Sequence, residues 1–144
     1  NTFKTFNQYK QNFNDKSIDD LCNKNNTFEL QPQQLFLKDF FQKNFDNIKQ
    51  FLLYHEIGSG KTCTSIILAE LFLKLNNDNK IVVILPARLK NNFYDELLSN
   101  CTNFKYFTKN DFNLYNDLNT SINDKQKLRK KFINEINKFY NIIS

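Results

Sequence analysis

The chain has 144 residues, of which 40% are apolar, and 16 of them are phenylalanine. This content can bury one hydrophobic core, so we expect one domain, or most of one, and not a disordered tail. A formal net charge of +5 is compatible with a nucleic-acid partner, but many ordinary proteins share it, so it selects no function class. Since no apolar run approaches the roughly 20 residues that span a bilayer, we expect a soluble intracellular protein without a membrane partner.

The three cysteines, Cys22, Cys63 and Cys101, are far apart and lack the spacing of metal ligands. Their odd number and wide separation argue against a disulfide framework and a zinc site, and favour a reducing compartment. The sequence begins at Asn1 and contains no Met. We therefore expect either a processed protein or a piece of a longer one.

Residues 1–27 are polar and show no sustained hydrophobic period, which predicts an N-terminal extension ahead of a domain over 28–144. Pro32 suits a first helical turn. Apolar residues then recur at helical spacing, which predicts a helix to about Asn44 with a wide apolar side. These residues are Leu35, Phe36, Phe40, Phe41, Phe45 and Ile48.

The next three segments predict a strand, a helix and a second strand. Residues 50–54 form a short apolar run, interpreted as a buried strand. Residues 62–75 have the length of a helix, which the turn at 76–79 ends. The β-branched run from residue 81 predicts a strand stopped by Pro86. Such a βαβ unit predicts an α/β fold with a parallel sheet flanked by helices.

The remaining residues predict further elements. The spacing of Leu89, Phe93 and Leu97 indicates a helix after Pro86, and residues 104–108 suggest a third strand. Residues 111–124 are rich in Asn and Asp and predict a loop. Residues 125–139 predict a helix with a basic start, interpreted as a solvated face in preference to a nucleic-acid contact. Residues 141–144 suggest the opening of another strand.

The chain has only two glycines, and both lie in the sequence His-Glu-Ile-Gly-Ser-Gly-Lys-Thr at 55–62. A loop that wraps phosphates turns its backbone N–H groups inward, and glycine permits the required dihedral angles and close approach. Lys61 would reach the β and γ phosphates of ATP, and the Thr62 hydroxyl would bind Mg²⁺. The following helix would direct its positive N-terminus at the phosphates.

One position departs from the strict phosphate-loop pattern, which has Gly where this chain has His55. If this segment did not bind phosphate, residues Gly58 to Thr62 would form only a turn that caps a helix. Lys61, Thr62 and the flanking strand and helix would then occur together by coincidence. His55 is interpreted as a residue that shapes the loop, because no nucleophile or second acid accompanies it.

Several short patterns resemble superfamily 2 helicases, and most closely the helicase-like ATPases of large DNA viruses, including poxvirus-type transcription and early-factor ATPases. Upstream, the family's L-x-P-x-Q segment matches Leu30, Pro32 and Gln34, and the resemblance implies that Gln34 contacts adenine. The viral variant of the phosphate loop begins with His and continues with Cys-Thr, as this chain does. The implied fold is a P-loop NTPase (RecA-like) domain, present as an incomplete first lobe. The implied nucleotide-binding residues are Gln34, Ile57, Gly58, Ser59, Gly60, Lys61, Thr62 and Cys63.

A second pattern, P-x-x-L-x-x-N-aromatic-x-x-E from Pro86 to Glu96, resembles the family's first nucleic-acid-contacting motif. A strand end that leads into a helix N-terminus offers backbone donors to a nucleic-acid phosphate. Arg88 and Lys90 would add positive charge. The resemblance therefore implies backbone contacts to DNA or RNA at Pro86, Arg88 and Lys90.

Hydrolysis in this family requires an Asp-Glu motif after a later strand, and the chain lacks it. The pair Asp95-Glu96 follows a helical pattern and no apolar strand, so it is rejected for this role. We expect the motif beyond Ser144, which leaves Lys61 as the catalytic residue of a chain that is inactive alone. The implied partners are the remaining helicase lobes of the same polypeptide and viral transcription machinery. The expected location is the cytoplasm, including a viral factory or a virion.

Two other function classes remain open. A P-loop enzyme of another kind, such as a small kinase or GTPase-like protein, shares the loop but not the patterns at Gln34 and Pro86. A truncated, non-catalytic subunit for transcription or packaging would act through its fold alone. The sequence therefore favours the N-terminal part of an ATP-dependent helicase or translocase over these two.

Overall fold

The computed structural model describes residues 7–10, 28–56, 58–76 and 79–144. It divides the chain into two compact units, Asn1–Ser59 and Gly60–Ser144, which are described separately. The predicted polar extension over 1–27 lies outside the described residues, except for a helical stretch at 7–10. In the described ranges, no helix combines the length and the apolar character needed to cross a bilayer.

The first unit is built on α1, Pro32–Lys43, which is followed by a 3₁₀ turn at Phe45–Asn47. Pro32 occupies the first helical turn, where its missing N–H breaks no helical hydrogen bond. At the other end, the Asn44 side chain donates a hydrogen bond to the Phe40 carbonyl (2.7 Å). The predicted helix to about Asn44 is therefore confirmed.

The strand predicted at 50–54 is wrong, since residues 50–56 have no regular secondary structure. The Phe51 ring instead packs against Phe40 and Phe41 of α1, with centroid distances of 6.2 and 6.4 Å. Tyr54 is 91% exposed. A strand is stable only beside a neighbouring strand, and the prediction assumed one. The apolar run instead contacts aromatic rings of α1.

The second unit begins with α2, Lys61–Leu75, which starts directly after Gly60 and ends at Asn76. This confirms the predicted helix, whereas residues 77–78 of the turn predicted at 76–79 lie outside the described residues. Its apolar residues lie on more than one side, which is typical of a helix with neighbours around it. The buried residues of α2 are Cys63, Thr64, Ile66, Ile67, Leu68, Leu71 and Leu73.

Two strands, β1 (Ile81–Ile84) and β2 (Tyr140–Ile143), pair in parallel, with Ile81 opposite Tyr140 and Ile84 opposite Ile143. Both the predicted strand from residue 81 and the strand suggested at 141–144 are confirmed. Parallel pairing requires a long crossover, and the residues between the strands provide it as helices.

The sheet has one buried and one exposed face. Tyr140 and Ile142 point into the core, whereas Val82 and Ile84 are 57% and 81% exposed. Alternation along a strand places these two sets on opposite faces. The described residues thus show helices with a two-stranded parallel sheet, which is compatible with a P-loop NTPase fold but smaller than the predicted sheet.

The crossover contains three α-helices and two 3₁₀ turns. After a 3₁₀ turn at Ala87–Leu89, α3 spans Lys90–Leu97, which confirms the helix predicted after Pro86. A second 3₁₀ turn, Asn100–Thr102, is followed by α4 (Lys109–Asn116) and α5 (Ile122–Ile136). The core of this unit contains Ile66, Leu73, Tyr94, Leu97, Leu98, Tyr106, Phe132, Ile136, Tyr140 and Ile142.

Two predictions in the crossover are wrong. Residues 104–106 lie in a turn and 107–108 have no regular structure, with Phe104 at φ 55° and its ring 4.8 Å from that of Phe112. The predicted loop at 111–124 contains most of α4 and the start of α5, because two side chains cap these helices. The Thr108 and Ser121 hydroxyls accept hydrogen bonds from backbone N–H groups three residues later, both at 3.2 Å.

Candidate functional site

Both glycines of the chain have a left-handed backbone, with φ of 81° at Gly58 and 76° at Gly60. A residue with a side chain is disfavoured in this conformation by about 1–2 kcal/mol. A Cβ added at Gly58 would meet no heavy atom within 4 Å. The backbone angle, and not a lack of space, therefore requires glycine at position 58.

Hydrogen bonds close the loop on both sides of Gly60. The Ser59 hydroxyl donates to the Glu56 carbonyl (2.7 Å), and the Ser59 N–H points to the same oxygen (3.4 Å). The Gly60 carbonyl accepts from the N–H and the hydroxyl of Thr64, at 2.9 and 3.0 Å. The chain thus turns from the loop into α2 without an intervening residue.

Lys61 and Thr62 are the first two residues of α2, and both are exposed. The first turn of this helix contains no acidic residue. A helix N-terminus carries partial positive charge on N–H groups that have no partner inside the helix. Lys61 adds a full positive charge, so this end is suited to bind an anion such as a phosphate. Ile57 lies outside the described residues, and His55 is half-buried.

Gln34 belongs to the first unit and is only 4% exposed. Its side-chain oxygen accepts a hydrogen bond from the Gln31 N–H at 2.9 Å, which caps α1. An amide oxygen has two lone pairs and its nitrogen has two donors. The structure therefore shows this nearly buried amide in a capping role at the start of α1.

Arg88 and Lys90 follow the end of β1, as predicted, but their environments differ. The Pro86 carbonyl accepts from the Leu89 N–H (2.8 Å), which forms the 3₁₀ turn, and Arg88 is exposed on it. Lys90 is half-buried, and its ammonium group donates to the Ile142 carbonyl of β2 at 2.9 Å. Arg88 offers its charge to solvent, whereas Lys90 holds α3 against the sheet.

Basic residues of α5 form ion pairs with neighbouring helices. Arg129 lies 2.6 Å from Asp95 of α3, and Lys131 lies 2.7 Å from Asp111 of α4. Hydrogen bonds from Lys131 and from the Thr108 hydroxyl lower the pKa of Asp111. These contacts support the interpretation of the basic cluster as a solvated face that joins helices.

The chain matches one known protein family over most of its length. The sequence profile of the family described as type III restriction enzyme, res subunit, matches residues 9–143. The chain belongs to this family. Membership in this res-subunit family implies a P-loop NTPase fold, and it agrees with the glycine loop and the parallel strand pair.

Relatives of this chain occur in large DNA viruses. "Putative ATP-dependent RNA helicase R563" of Acanthamoeba polyphaga mimivirus is 37% identical over 117 residues, which are 81% of this chain. "Putative ATP-dependent RNA helicase L377" of the same virus is 32% identical over 122 residues, also 81% of the chain. "Putative helicase 087L" of Invertebrate iridescent virus 3 is 37% identical over 90 residues, 52% of the chain. The resemblance to helicase-like proteins of large DNA viruses is confirmed.

This chain spans a small part of these relatives. The matched segments cover 20% of the first mimivirus protein, 10% of the second and 9% of the iridescent virus protein. No solved structure matches the chain. The comparisons therefore establish the family, and the activity of a whole protein is treated below as a proposal.

The expectation that the cysteines form no disulfide is wrong. Cys63, in the first turn of α2, is bonded to Cys101 in the Asn100–Thr102 turn, with their Cα atoms 5.3 Å apart. The two are 38 residues apart in sequence, and packing of that turn against the start of α2 brings them together. Sequence spacing alone does not reveal such a contact. Cys22 lies outside the described residues.

A carboxylate lies beside the disulfide. The Glu96 side chain approaches the Cys101 sulfur at 3.2 Å. Together the two sulfurs and this carboxylate form the one group in the described ranges with three metal-ligating atoms, all within 4.8 Å of one another. A metal binds thiolates, and sulfurs that are bonded to each other are not thiolates. The structure therefore supports a disulfide here and not a metal centre.

A second set of residues missed in the sequence holds the middle of α2. Glu70 accepts hydrogen bonds from the Tyr106 and Tyr140 hydroxyls, at 2.5 and 2.8 Å, and pairs with Lys105 at 2.6 Å. Burial raises the pKa of both tyrosines, and the hydrogen bond to Glu70 and the charge of Glu70 raise them further. These contacts connect α2 to β2 and to the turn after α3.

Proposed function

We propose that this chain is the ATP-binding front part of a nucleic-acid helicase or translocase of superfamily 2. The observation that supports it most strongly is the loop from Gly58 to Thr62. Its two left-handed glycines lead directly into an exposed, positive helix start. Membership in the res-subunit family and viral relatives that are named helicases agree with this proposal.

Each residue of the loop has a role in this proposal. Backbone N–H groups from Ile57 to Cys63 surround the phosphates, and the Lys61 ammonium binds the β and γ phosphates. Lys61 is the catalytic residue, because it stabilises the charge on the transferred phosphoryl group. Gln34 recognises the adenine edge through its amide group.

The residues at the start of α2 also fit Mg²⁺. Thr62 is exposed in the first turn and supplies a hydroxyl oxygen, a ligand that Mg²⁺ accepts beside phosphate oxygens and water. Bound there with ATP, the ion would neutralise phosphate charge. The chain's own contribution is to place the Thr62 oxygen and the Lys61 ammonium on one helical turn.

The proposal also covers domain organisation and partners. Residues 1–27 form a polar extension, and residues 28–144 form part of the first, RecA-like lobe, which works with further lobes of a longer polypeptide. DNA or RNA binds through its own phosphate backbone at Pro86 and Arg88, while Lys90 keeps α3 against the sheet beside them. Exposed Arg88 at the strand end supports this assignment most directly. Viral transcription is the process we propose for it.

The test measures nucleotide binding to the 144-residue chain by titration calorimetry, with a non-hydrolysable ATP analogue and Mg²⁺. We expect Lys61→Ala to weaken binding by about tenfold to a hundredfold, because hydrogen bonds to charged groups contribute about 1.5–3 kcal/mol. Lys74→Ala is the matched control, since Lys74 is exposed near the other end of the same helix. Its affinity should equal that of the unmodified chain.

Equal affinities of the Lys61→Ala and Lys74→Ala variants would contradict the assignment of the loop. If binding does depend on Lys61, ATPase assays on a longer polypeptide are the next measurement. Stimulation by DNA or RNA supports a helicase or translocase, and a turnover rate that ignores nucleic acid supports a P-loop enzyme of another kind.

A further inference from the structure

The Cys63–Cys101 disulfide lies at the nucleotide end of α2. Cys63 directly follows Thr62, so the disulfide bond is attached within the same helical turn as both proposed phosphate and Mg²⁺ ligands. Any movement of Cys63 relative to the rest of the unit therefore also moves Lys61 and Thr62.

The other end of the disulfide is firmly held. The Ser99 hydroxyl oxygen accepts a hydrogen bond from the Cys101 N–H at 3.1 Å, and the Thr102 hydroxyl donates to the Leu97 carbonyl at 2.8 Å. Leu97 is the last residue of α3 and is fully buried in the core. Cys101 therefore connects the start of α2 to a fixed point of the second unit.

A second attachment of α2 lies further along the helix. Glu70, seven residues after Cys63, is held by Tyr106 and Tyr140. At 1.5 Å per residue these two attachment points are about 10 Å apart along the axis. Opening the disulfide would leave the Glu70 contacts and the buried Ile66 in place and would release only the first turn, which carries Lys61 and Thr62.

The two cysteine residues differ in exposure. Cys63 is 7% exposed, whereas Cys101 is half-buried. An attacking thiolate must reach the sulfur along the line of the bond, so access favours attack at Cys101. The disulfide is thus open to exchange from one side.

Glu96 gives the reduced form a specific partner. A bonded sulfur carries no hydrogen, so the 3.2 Å approach between Cys101 and Glu96 is only a contact while the disulfide is closed. After reduction, the Cys101 thiol would donate a hydrogen bond to the carboxylate at this position. Hydrogen bonds to charged acceptors are the stronger kind, so Glu96 favours the dithiol.

We propose that Cys63 and Cys101 are a reversible redox-modification site, at which a closed disulfide holds the start of α2 in its nucleotide-binding conformation. Reduction by a small thiol such as glutathione releases it and weakens nucleotide binding. The link to nucleotide rests on the function proposed above, whereas the reversible disulfide itself does not.

The exchange is a balanced two-electron reaction. A glutathione thiolate attacks the Cys101 sulfur, the Cys63–Cys101 bond breaks, and Cys63 leaves as a thiolate that takes a proton from water. A second glutathione thiolate attacks the glutathione sulfur of the mixed disulfide, which yields glutathione disulfide, and Cys101 leaves as a thiolate that takes a proton from water. Closure runs the same steps in reverse, with glutathione disulfide as the oxidant.

The first measurement follows the disulfide alone. The chain with Cys22→Ser, which leaves only the pair, is equilibrated in buffers of graded glutathione and glutathione disulfide, and its free thiols are counted by alkylation and mass. We expect a single transition between a form with two free thiols per chain and a form with no free thiol. Glu96→Gln should shift the midpoint toward the disulfide by about fivefold in the glutathione ratio, because it removes a charge-assisted bond of the dithiol.

The second measurement compares nucleotide binding by the disulfide form and the dithiol form. Affinity for the ATP analogue with Mg²⁺ is measured for the closed form, the reduced form and the variant Cys63→Ser with Cys101→Ser. We expect the reduced form and the double variant to bind about three- to tenfold more weakly, since an ordered site loses less freedom on binding. Hydrogen exchange at 61–65 should be faster in both, and exchange near Glu70 should not change.

The outcomes separate this inference from the proposed function. Two free thiols at every glutathione ratio, or thiols protected only by added Zn²⁺, would overturn the redox site. Equal nucleotide affinity and equal hydrogen exchange at 61–65 in both forms would overturn the claim that the disulfide controls the start of α2. The proposed ATP site would not be affected by that result. Absence of binding in both forms, with faster exchange on reduction, would contradict the ATP site and leave the disulfide's hold on α2 supported.

Discussion

Arg88 and Lys90 are two positions apart and carry the same charge, yet their environments give them different roles. Arg88 is exposed on the 3₁₀ turn after β1. Lys90 is half-buried, and its ammonium binds the Ile142 carbonyl at 2.9 Å. At the scale of single residues, a shared sequence motif therefore combines one side chain free to meet a phosphate with another engaged inside the fold.

Substitutions at these two positions should separate binding from stability. Arg88→Ala should weaken binding of a single-stranded oligonucleotide and lower the slope of log affinity against log salt by roughly 0.7, the value for one lost phosphate contact. Its unfolding free energy should stay within about 0.5 kcal/mol of the unmodified chain. Fluorescence anisotropy at several salt concentrations and urea unfolding are the measurements.

Lys90→Met is the comparison variant, because it keeps the apolar stem and removes the ammonium. We expect it to lower the unfolding free energy by about 1–2 kcal/mol, since the Ile142 carbonyl loses a charged donor. If Lys90→Met leaves stability unchanged and abolishes oligonucleotide binding, Lys90 is a nucleic-acid ligand and the structural role assigned to it is wrong.

Sequence reasoning was effective for residues whose partners are close in the chain. The loop residues from Gly58 to Thr62 are consecutive, and only glycine suits the two left-handed positions, so their pattern is readable without a structure. The contacts of Cys63 with Cys101 and of Glu70 with Tyr140 join positions 38 and 70 residues apart. Such pairs depend on how helices pack, and no local pattern predicts them.

At the scale of elements, α2 connects the candidate site to the core of the second unit. Its first turn carries Lys61 and Thr62, its middle is held through Glu70, and its inner side chains are buried. The tyrosine hydroxyls that bind Glu70 must stay protonated to donate. The attachment of α2 to β2 is therefore sensitive to alkaline pH.

The expected pH dependence follows from the raised pKa of Tyr106 and Tyr140. The folded chain retains these protons above the usual tyrosine pKa of about 10, whereas the unfolded chain loses them. Stability is thus complete below pH 10 and falls above it, by about 1.4 kcal/mol per pH unit for each such tyrosine. Urea unfolding between pH 8 and pH 11 or so measures this loss.

Replacing Tyr106 and Tyr140 together with Phe should make the decline above pH 10 shallower, although the variant is less stable at neutral pH. Tyr54→Phe is the control, because Tyr54 is 91% exposed and should leave the slope unchanged. A double variant with the same alkaline slope as the unmodified chain would show that these tyrosines titrate normally.

The prediction of helices and strands succeeded where a regular apolar pattern covered the segment. It failed where a local helix-capping signal was overlooked. The helices α1, α2 and α3 and both strands agree with their apolar patterns. The helices α4 and α5 were missed or shifted, although Thr108 and Ser121 each precede an Asp by three residues and cap these helices. The run at 50–54 was assigned a strand on composition, and composition does not supply a sheet neighbour.

At the scale of the whole molecule, the glycine loop lies where the two compact units meet in sequence, between Ser59 and Gly60. The family match covers residues 9–143 and thus includes parts of both units. Gln34 belongs to the first unit and Lys61 to the second. Substitutions at Gln34 and at Lys61 therefore test the nucleotide assignment in each unit separately.

The glycine content of the chain offers a direct test of this site. The chain contains two glycines, Gly58 and Gly60, and both belong to the loop. A sample labelled with ¹⁵N only at glycine gives two backbone amide signals in a two-dimensional NMR spectrum, and each reports on the proposed phosphate site. We predict that both signals shift when an ATP analogue and Mg²⁺ are added, and that the same shifts in Lys61→Ala require about tenfold to a hundredfold more nucleotide. Two signals that stay in place at saturating nucleotide would contradict the central claim that this loop binds ATP.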